Sequence, residues 1–302
     1  MGELIFVVIV TYNRKKLLME CLSAILSQTY SVSKILIIDN ASTDGTFDEL
    51  KKGKFLDLEV LEYIPLSKNS GGAGGFAYGM EYAFKSGADY VWMMDDDAMP
   101  YSDALEKLMI HATSNHIYGS LAVHGDNTAW TTYLLPVGKN IHIKNEIPDL
   151  SEVQSLPFLG FLTSKEIYQN IGLPDESYFI AADDTEYCMR AQKAGYKIYI
   201  CGQSQIEHPK SDRYVVNIFS KKINCLKLVP WKRYYDTRNR IFIAKSYYGF
   251  KLYTQTIPSL VLRLLAALIN ESDRTAQIKA VFVGLYDGLT NKAGKRHDYW
   301  NL

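Results

Sequence analysis

The sequence predicts an α/β protein with a mostly parallel central sheet, helices on both faces, and a helical C-terminal extension. Three observations carry this. Short apolar runs alternate with segments of helical spacing through the first hundred residues, polar clusters sit at the ends of those runs, and from Trp231 onward the spacing is helical, among many aromatic and basic residues. A chain of 302 residues fits one large domain with an extension. The boundary is placed at residue 215, giving segments 1–215 and 216–302.

Residues 4–10 read as a first strand. Residues 14–28 set Leu17, Leu18, Cys21, Leu22, Ile25 and Leu26 on one side of a helix. Residues 34–38 read as a second strand, ended by Asp39-Asn40-Ala41-Ser42-Thr43-Asp44-Gly45. A short helix over 46–52, a third strand over 58–62, a helix over 74–86 after a glycine-rich loop, and a fourth strand over 90–94 follow. Residues 104–164 give no regular pattern. Strands separated by helices imply parallel pairing, and ligands of such sheets sit beyond the carboxyl ends of the strands. Three polar clusters fall there: Thr11-Tyr12-Asn13-Arg14, Asp39-Asn40 and Asp95-Asp96-Asp97.

Composition narrows the class. The chain is 47% hydrophobic and 22% charged, which is ordinary for a globular protein. Cys21, Cys188, Cys201 and Cys225 form no CxxC pair, so neither a zinc pattern nor a disulfide framework is indicated, and a reducing cytosol fits. The first apolar run passes straight into Thr11-Tyr12-Asn13-Arg14, as a strand does and a signal peptide does not. The longest later run, 257–269, is broken by Pro258 and Arg263 and falls short of the roughly 20 apolar residues that span a bilayer. The zero net charge hides a polarity: from His208 to the end there are 17 Lys and Arg against 6 Asp and Glu, net +11, balanced by −11 before it. A basic tail on an acidic body points to an anionic partner, such as membrane headgroups or a phosphorylated lipid, or to the acidic body itself. No nucleic-acid module is visible.

Asp95-Asp96-Asp97 ends a strand of apolar residues. Packed carboxylates repel one another, so the triplet reads as the seat of a divalent cation, Mg or Mn, with a polar loop and Asp helix cap as the plainer reading. Convergence with the other strand ends favours the cation. The loop Lys68-Asn69-Ser70-Gly71-Gly72-Ala73-Gly74-Gly75 lets backbone N–H groups approach an anion at a helix start, or serves as a flexible turn; it is no GxxxxGKS phosphate loop. Asp183-Asp184-Thr185-Glu186 opens a helix. Asp183 with Glu186 matches a capping box, yet a cap needs one aspartate and here there are two, so one carboxylate is available to take a proton from a hydroxyl. His208 matters if the fold returns it to the triplet, where imidazole suits Mn better than Mg.

Taken in order, these motifs resemble the inverting nucleotide-sugar glycosyltransferases of family 2, which have the GT-A (Rossmann-like) fold. The matching segments are Val8-Ile9-Val10-Thr11-Tyr12-Asn13-Arg14, Ile38-Asp39-Asn40-Ala41-Ser42-Thr43-Asp44-Gly45-Thr46, Asn69-Ser70-Gly71-Gly72-Ala73-Gly74-Gly75-Phe76, Met94-Asp95-Asp96-Asp97, Asp183-Asp184-Thr185-Glu186-Tyr187 and Tyr234-Tyr235-Asp236-Thr237-Arg238-Asn239. They cover about residues 4–240. The resemblance implies that 1–215 is the catalytic domain, with nucleotide-sugar and acceptor halves, and that 216–302 faces acceptor or membrane. Thr11, Arg14, Asp39, Asn69, Asp95, Asp96 and Arg238 would contact the nucleotide sugar. Asp97, with Asp95 and His208, would hold Mn2+ or Mg2+. Asp184 would be the base, with Asp183 orienting sugar or acceptor hydroxyls.

Within the family the likeness is to bacterial galactofuranosyltransferases, then rhamnosyltransferases. It implies a UDP-sugar donor, UDP-galactofuranose first and dTDP-rhamnose second. The implied acceptor is a surface glycan or polyprenyl-diphosphate-linked oligosaccharide at the inner face of the plasma membrane. Ala182 stands where those enzymes often carry tryptophan, and Tyr78 where arginine is common. Trp231-Lys232-Arg233-Tyr234-Tyr235 mixes aromatics and cations as peripheral membrane surfaces do, or packs as a helical hairpin. A nucleotidyltransferase would need a basic, glycine-rich loop after the first strand, which is missing. A non-catalytic nucleotide-sugar-binding scaffold would lack the metal aspartate or the base, and both are present.

Overall fold

The computed structural model describes residues 2–218 and 221–302. Along the chain run β1 (Ile5–Thr11), α1 (Lys15–Leu26), β2 (Lys34–Asp39), α2 (Thr46–Lys52), β3 (Leu61–Pro65), α3 (Gly71–Lys85), β4 (Tyr90–Asp95), β5 (Met99–Pro100), α4 (Ala104–Met109) and β6 (His116–His124). Then come β7 (Asn127–Leu135), β8 (Lys139–Ile143), β9 (Ser151–Val153), β10 (Phe161–Ser164), α5 (Lys165–Ile171), α6 (Asp183–Lys193) and β11 (Lys197–Glu207). A hairpin of β12 (Arg213–Ile218) and β13 (Lys221–Leu226) precedes α7 (Pro230–Ile243), α8 (Ile257–Asn270) and α9 (Arg274–Leu289).

The chain divides into two compact units. The first runs to Asp175 and resumes over Asp184–Lys210; the second comprises Glu176–Asp183 and Ser211–Leu302. The first holds one sheet in the order β3-β2-β1-β4-β10-β6-β11-β9-β7-β8, with β5 pairing β11. The four strands β3, β2, β1 and β4 are parallel, as expected. Beyond them the sheet is mixed: β10 runs antiparallel to β4 and β6, and the segment without a readable pattern supplies the antiparallel β7, β8 and β9.

Strand β1, apolar up to its last residue Thr11, is buried throughout because helices cover both of its faces. Phe6, Val8 and Val10 pack toward Phe76, Met80 and Phe84 of α3. Ile5, Val7 and Ile9 pack toward Leu18, Cys21, Leu22 and Ile25 of α1. Two expectations shift here. The third strand begins three residues late, because a 3-10 turn at Phe55–Asp57 takes up the preceding chain. The glycine-rich segment is not a loop: α3 begins at Gly71, and its glycines let the helix lie on the sheet. A Cβ at Gly79 would stand 2.4 Å from Val8 Cγ1, and one at Gly75 2.6 Å from Val10 Cγ1.

In the second unit, α7 and α9 approach closely at Gly284 and Gly288, where a Cβ would meet the Tyr234 carbonyl oxygen at 2.8 Å and Ile241 Cβ at 2.7 Å. Two buried polar hubs lie here. Arg233 pairs with Glu271 at 2.6 Å and with Gln277 at 2.5 Å. The Asp287 carboxylate, fully buried, accepts from Tyr234 Oη (2.6 Å), Arg296 Nε (2.9 Å) and Trp300 Nε1 (2.8 Å). Within the Trp231–Tyr235 stretch, Arg233, Tyr234 and Tyr235 are interior residues, as packing of a helical hairpin requires, while Trp231 and Lys232 are half-buried. The apolar run read as 257–269 lies within one continuous helix, Leu252–Asn270, 19 residues of mean hydropathy 1.5 and 22% buried. By length and composition alone that helix meets the requirement for crossing a membrane.

Candidate active site

Parallel pairing brings the sequence-predicted residues to one edge. The register sets Thr11 beside Asp39 and Val10 beside Asp95, so the polar ends of β1, β2 and β4 open at the same carboxyl edge. The strand ends at Asp95 and the turn after it separates the triplet: Asp95 is exposed, Asp96 is buried and Asp97 is half-buried.

Asp96 is the internal anchor. Thr11 Oγ1 donates to its Oδ2 at 2.7 Å, and Arg14 Nη1 reaches its Oδ1 at 3.3 Å and Asp97 Oδ2 at 2.7 Å. Burial pushes the Asp96 carboxyl up to about 6, opposed by the hydrogen bond from Thr11 and the charge of Arg14. For Arg14, burial works against the charge, but the Asp96, Asp97 and Asp95 carboxylates outweigh it and raise its pKa.

The fold returns His208 to the triplet. Its Nε2 lies 3.7 Å from Asp97 Oδ1. Nδ1 is 2.7 Å from the Pro209 carbonyl oxygen, which can only accept, so the neutral ring carries its proton on Nδ1 and turns the Nε2 lone pair toward Asp97. Trp130 packs edge-on against the ring at 5.6 Å. In that tautomer imidazole nitrogen and carboxylate oxygen face each other as two electron-pair donors, an arrangement that suits a cation between them. Among the described residues no three His, Cys, Asp or Glu converge as a complete metal cage. A divalent ion bound through one or two protein ligands plus substrate phosphates needs no such cage, so this donor pair fits Mn2+ or Mg2+.

Asp39 and Asn69 are occupied locally. Asp39 Oδ2 accepts from Tyr63 Oη at 2.5 Å and Oδ1 from Ser42 N–H at 2.8 Å. Asn69 Oδ1 accepts from Gly71 N–H at 2.8 Å, which ties down the first turn of α3. Sequence reasoning undervalued the residues that shape this edge. Asn40, buried, accepts from Ser70 Oγ at 2.9 Å and donates to the Gly71 carbonyl at 3.0 Å, joining β2 to α3. Asn13 Oδ1 accepts from Thr43 N–H at 2.7 Å, zipping together the loops after β1 and β2. Asp44 Oδ1 accepts from Thr46 Oγ1 at 2.6 Å at the start of α2. The Asp39–Thr46 motif was the signal for these contacts, since Asn, Asp, Ser and Thr in a loop commonly bond neighbouring backbone.

Asp184 stands apart from this network at the start of α6. Its Oδ1 accepts from Thr185 N–H at 2.6 Å, and burial raises its pKa, making it a stronger proton acceptor when ionised. Asp183 is buried beside it, and Glu186 is gripped by Arg190 at 2.7 and 3.1 Å. The backbone ahead of the pair is unusual: Phe179, Ala181 and Ala182 have φ of 64°, 71° and 63°. These are left-handed conformations that non-glycine residues rarely take. Asn239 holds the segment in place, donating from Nδ2 to the carbonyls of Tyr178, Ile180 and Ala181 at 3.1, 2.8 and 2.7 Å.

Arg238 departs from its expected role. It is fully buried, donating to the carbonyls of Gly294 (2.6 Å) and Tyr178 (2.7 Å) and lying over the Tyr235 ring at 4.7 Å. A guanidinium so engaged has no surface to offer a phosphate. Its charge was legible in the sequence, but its burial was not.

The model of Glycosyl transferase family 2 matches residues 6–172. Over 303 residues the chain is 24% identical to the dTDP-rhamnosyl transferase RfbF of Shigella flexneri, covering 97% of this chain and 98% of that protein. It is 26% identical over 254 residues to the galactofuranosyltransferase GlfT1 of Mycolicibacterium smegmatis, covering 80% and 83%. In fold it is similar to a mannosyltransferase of Pyrobaculum calidifontis solved with GDP-Man and Mn2+, with a TM-score of 0.56 and 16% identity, covering 95% of this chain and 87% of that one. With a family match over more than half its length, the strand-end acidic site and this fold, the chain belongs to Glycosyl transferase family 2 and is a glycosyltransferase of the GT-A fold.

Proposed function

We propose that this glycosyltransferase is inverting and metal-dependent and moves galactofuranose from UDP-galactofuranose to a hydroxyl of a growing surface glycan or lipid-linked oligosaccharide. The observation that carries the reading is the Asp97–His208 donor pair at the carboxyl ends of the strands, braced by Arg14 and Asp96. Asp97 and His208 would hold Mn2+ or Mg2+, with Asp95 at the same edge. When bound, the ion offsets the charge that develops on the departing diphosphate. Arg14 holds Asp96 and Asp97 in place before donor arrives, and Thr11 fixes Asp96 by its hydrogen bond. Asp39, at the end of β2, is assigned to the nucleobase and Asn69 to the nucleoside or sugar.

Asp184 takes the proton of the acceptor hydroxyl, which attacks the anomeric carbon opposite the leaving diphosphate, so one displacement inverts the configuration. Asp183 orients hydroxyls beside it. The RfbF alignment, which spans nearly the whole of both chains, favours a second donor, dTDP-rhamnose. Docking at the inner face of the plasma membrane is part of the same reading. It draws support from α8, which exposes Val261, Leu265 and Ile269 along one face, with Phe250, Lys251 and Tyr253 exposed ahead of it.

The test is transfer of labelled galactofuranose from UDP-galactofuranose to a membrane lipid extract. The wild type should transfer with inversion and lose activity in EDTA until Mn2+ is restored. Retained configuration, or full activity in EDTA, contradicts the proposal.

A further inference from the structure

The second unit carries a cleft that the donor chemistry does not use. It measures about 480 Å3, within the range of small-molecule sites, and lies between α9 and the C-terminal tail. Phe282, Tyr286, Tyr299 and Trp300 give it aromatic walls, and Lys292 and Arg296 give it two cations. From these features we infer that the cleft binds a lipid phosphate, with its anionic head on Lys292 and Arg296 and its hydrocarbon against the aromatic walls. The inference deepens the lipid-linked acceptor reading and rests on it for biological context, though not for its chemistry.

Four observations support it. First, the walls are preorganised. The buried Asp287 carboxylate holds Trp300 Nε1 at 2.8 Å and Arg296 Nε at 2.9 Å, so an aromatic ring and a guanidinium are fixed before any ligand enters. Second, both cations keep N–H donors for a ligand, although Arg296 is ion-paired with Asp287. Arg296 binds Asp287 through Nε and Nη2, leaving Nη1 without a protein acceptor among the described residues. Lys292 is exposed, has no carboxylate partner among the described residues, and is anchored by its own N–H to the Asp287 carbonyl at 2.8 Å. Asp298, the other acid of the tail, is paired with Lys295 at 2.8 Å.

Third, an apolar track leads to the cleft. Ile278, Phe282, Tyr286 and Leu289 are 37%, 62%, 55% and 43% exposed. Their spacing of four, four and three residues puts them on one face of α9, a stripe about 16 Å long. The opposite face of the helix, with Gln277, Ala280, Val281, Gly284 and Gly288, is the buried one. A helix with one packed face and a second apolar face in solvent is suited to an amphipathic ligand. Fourth, the ligand class follows from the combination. A bare phosphate has no use for four aromatic rings, and a neutral hydrocarbon has none for two cations.

The probes are farnesyl phosphate, farnesol and inorganic phosphate, titrated calorimetrically into the full chain with and without saturating UDP and Mn2+. Farnesyl phosphate should bind saturably, at least about tenfold more tightly than either fragment, with or without UDP. Lys292→Glu and Phe282→Ser should each weaken it by about tenfold or more. Both side chains are exposed, so melting temperature and UDP binding should not change. Absent saturable binding, equal binding by both variants, or either fragment binding as tightly as farnesyl phosphate would each overturn the inference. Failure of the donor reading looks different: UDP would not bind, while farnesyl phosphate binding and its dependence on Lys292 would persist.

Discussion

Asp184 owes its proposed role to its surroundings. Burial raises its pKa, so the acid limb of the kcat profile should lie above the ordinary aspartate value of about 4. The sign follows from the chemistry: a base works only when ionised, so activity falls as pH drops through a raised pKa. Replacing Asp184 with Asn should lower kcat by about 10²–10⁴-fold with nucleotide binding kept, and remove that limb. A limb near pH 4 or below in the wild type, or full turnover in the variant, would remove Asp184 from the role. Asp97 and Asp184 stood out as candidates in the sequence because the carboxylates of a triplet at an apolar strand end, and of an acidic pair at a helix start, repel one another unless something positive or a proton is near. Arg238 was misread because a basic residue in an aromatic helix looks the same whether it meets phosphate or carbonyl. Asn239 was missed for a related reason: its partners are backbone oxygens some 60 residues away in sequence.

Strand–helix alternation fixed β1, β2 and β4 closely, since their apolar runs are short and sharply bounded. The antiparallel strands between residues 116 and 153 were not read, although Gly125-Asp126 joins β6 to β7 as a two-residue hairpin loop with Gly125 at φ 61°. Helix α3 corrects the reading of its glycines, and this can be measured. Gly79→Ala places a Cβ 2.4 Å from Val8 Cγ1 and 2.9 Å from Ile38 Cγ1, so urea unfolding should show a loss of about 1–3 kcal/mol despite the better helix former. No loss would mean that α3 does not lie this close to the sheet. The segment before Asp183 makes a different prediction. Asn239→Ala removes three hydrogen bonds from the segment that holds Phe179, Ala181 and Ala182 at positive φ, so kcat should fall while KM for the donor stays near the wild-type value. A rise in donor KM at constant kcat would contradict that assignment.

The charge polarity along the chain acquires a physical sense in the fold. The acidic clusters gather at strand ends of the first unit, where Arg14 balances them in part, while much of the basic excess lies in the second unit. Some of that excess is structural, as with Arg233 and Arg238, and some is exposed, as with Lys251 and Lys292. Family membership and fold were legible because several weak motifs occur in a consistent order. Donor identity was not, since Ala182 and Tyr78 differ from residues that usually mark the galactofuranosyl enzymes. The most direct measurement is therefore thermal melting with UDP, dTDP and GDP, each with and without Mn2+, because a ligand that binds the folded chain must raise its melting temperature. The account predicts a shift with UDP that grows with Mn2+ and is lost in Asp97→Ala. No shift with any nucleotide, or a UDP shift indifferent to Mn2+ and to Asp97, would contradict it.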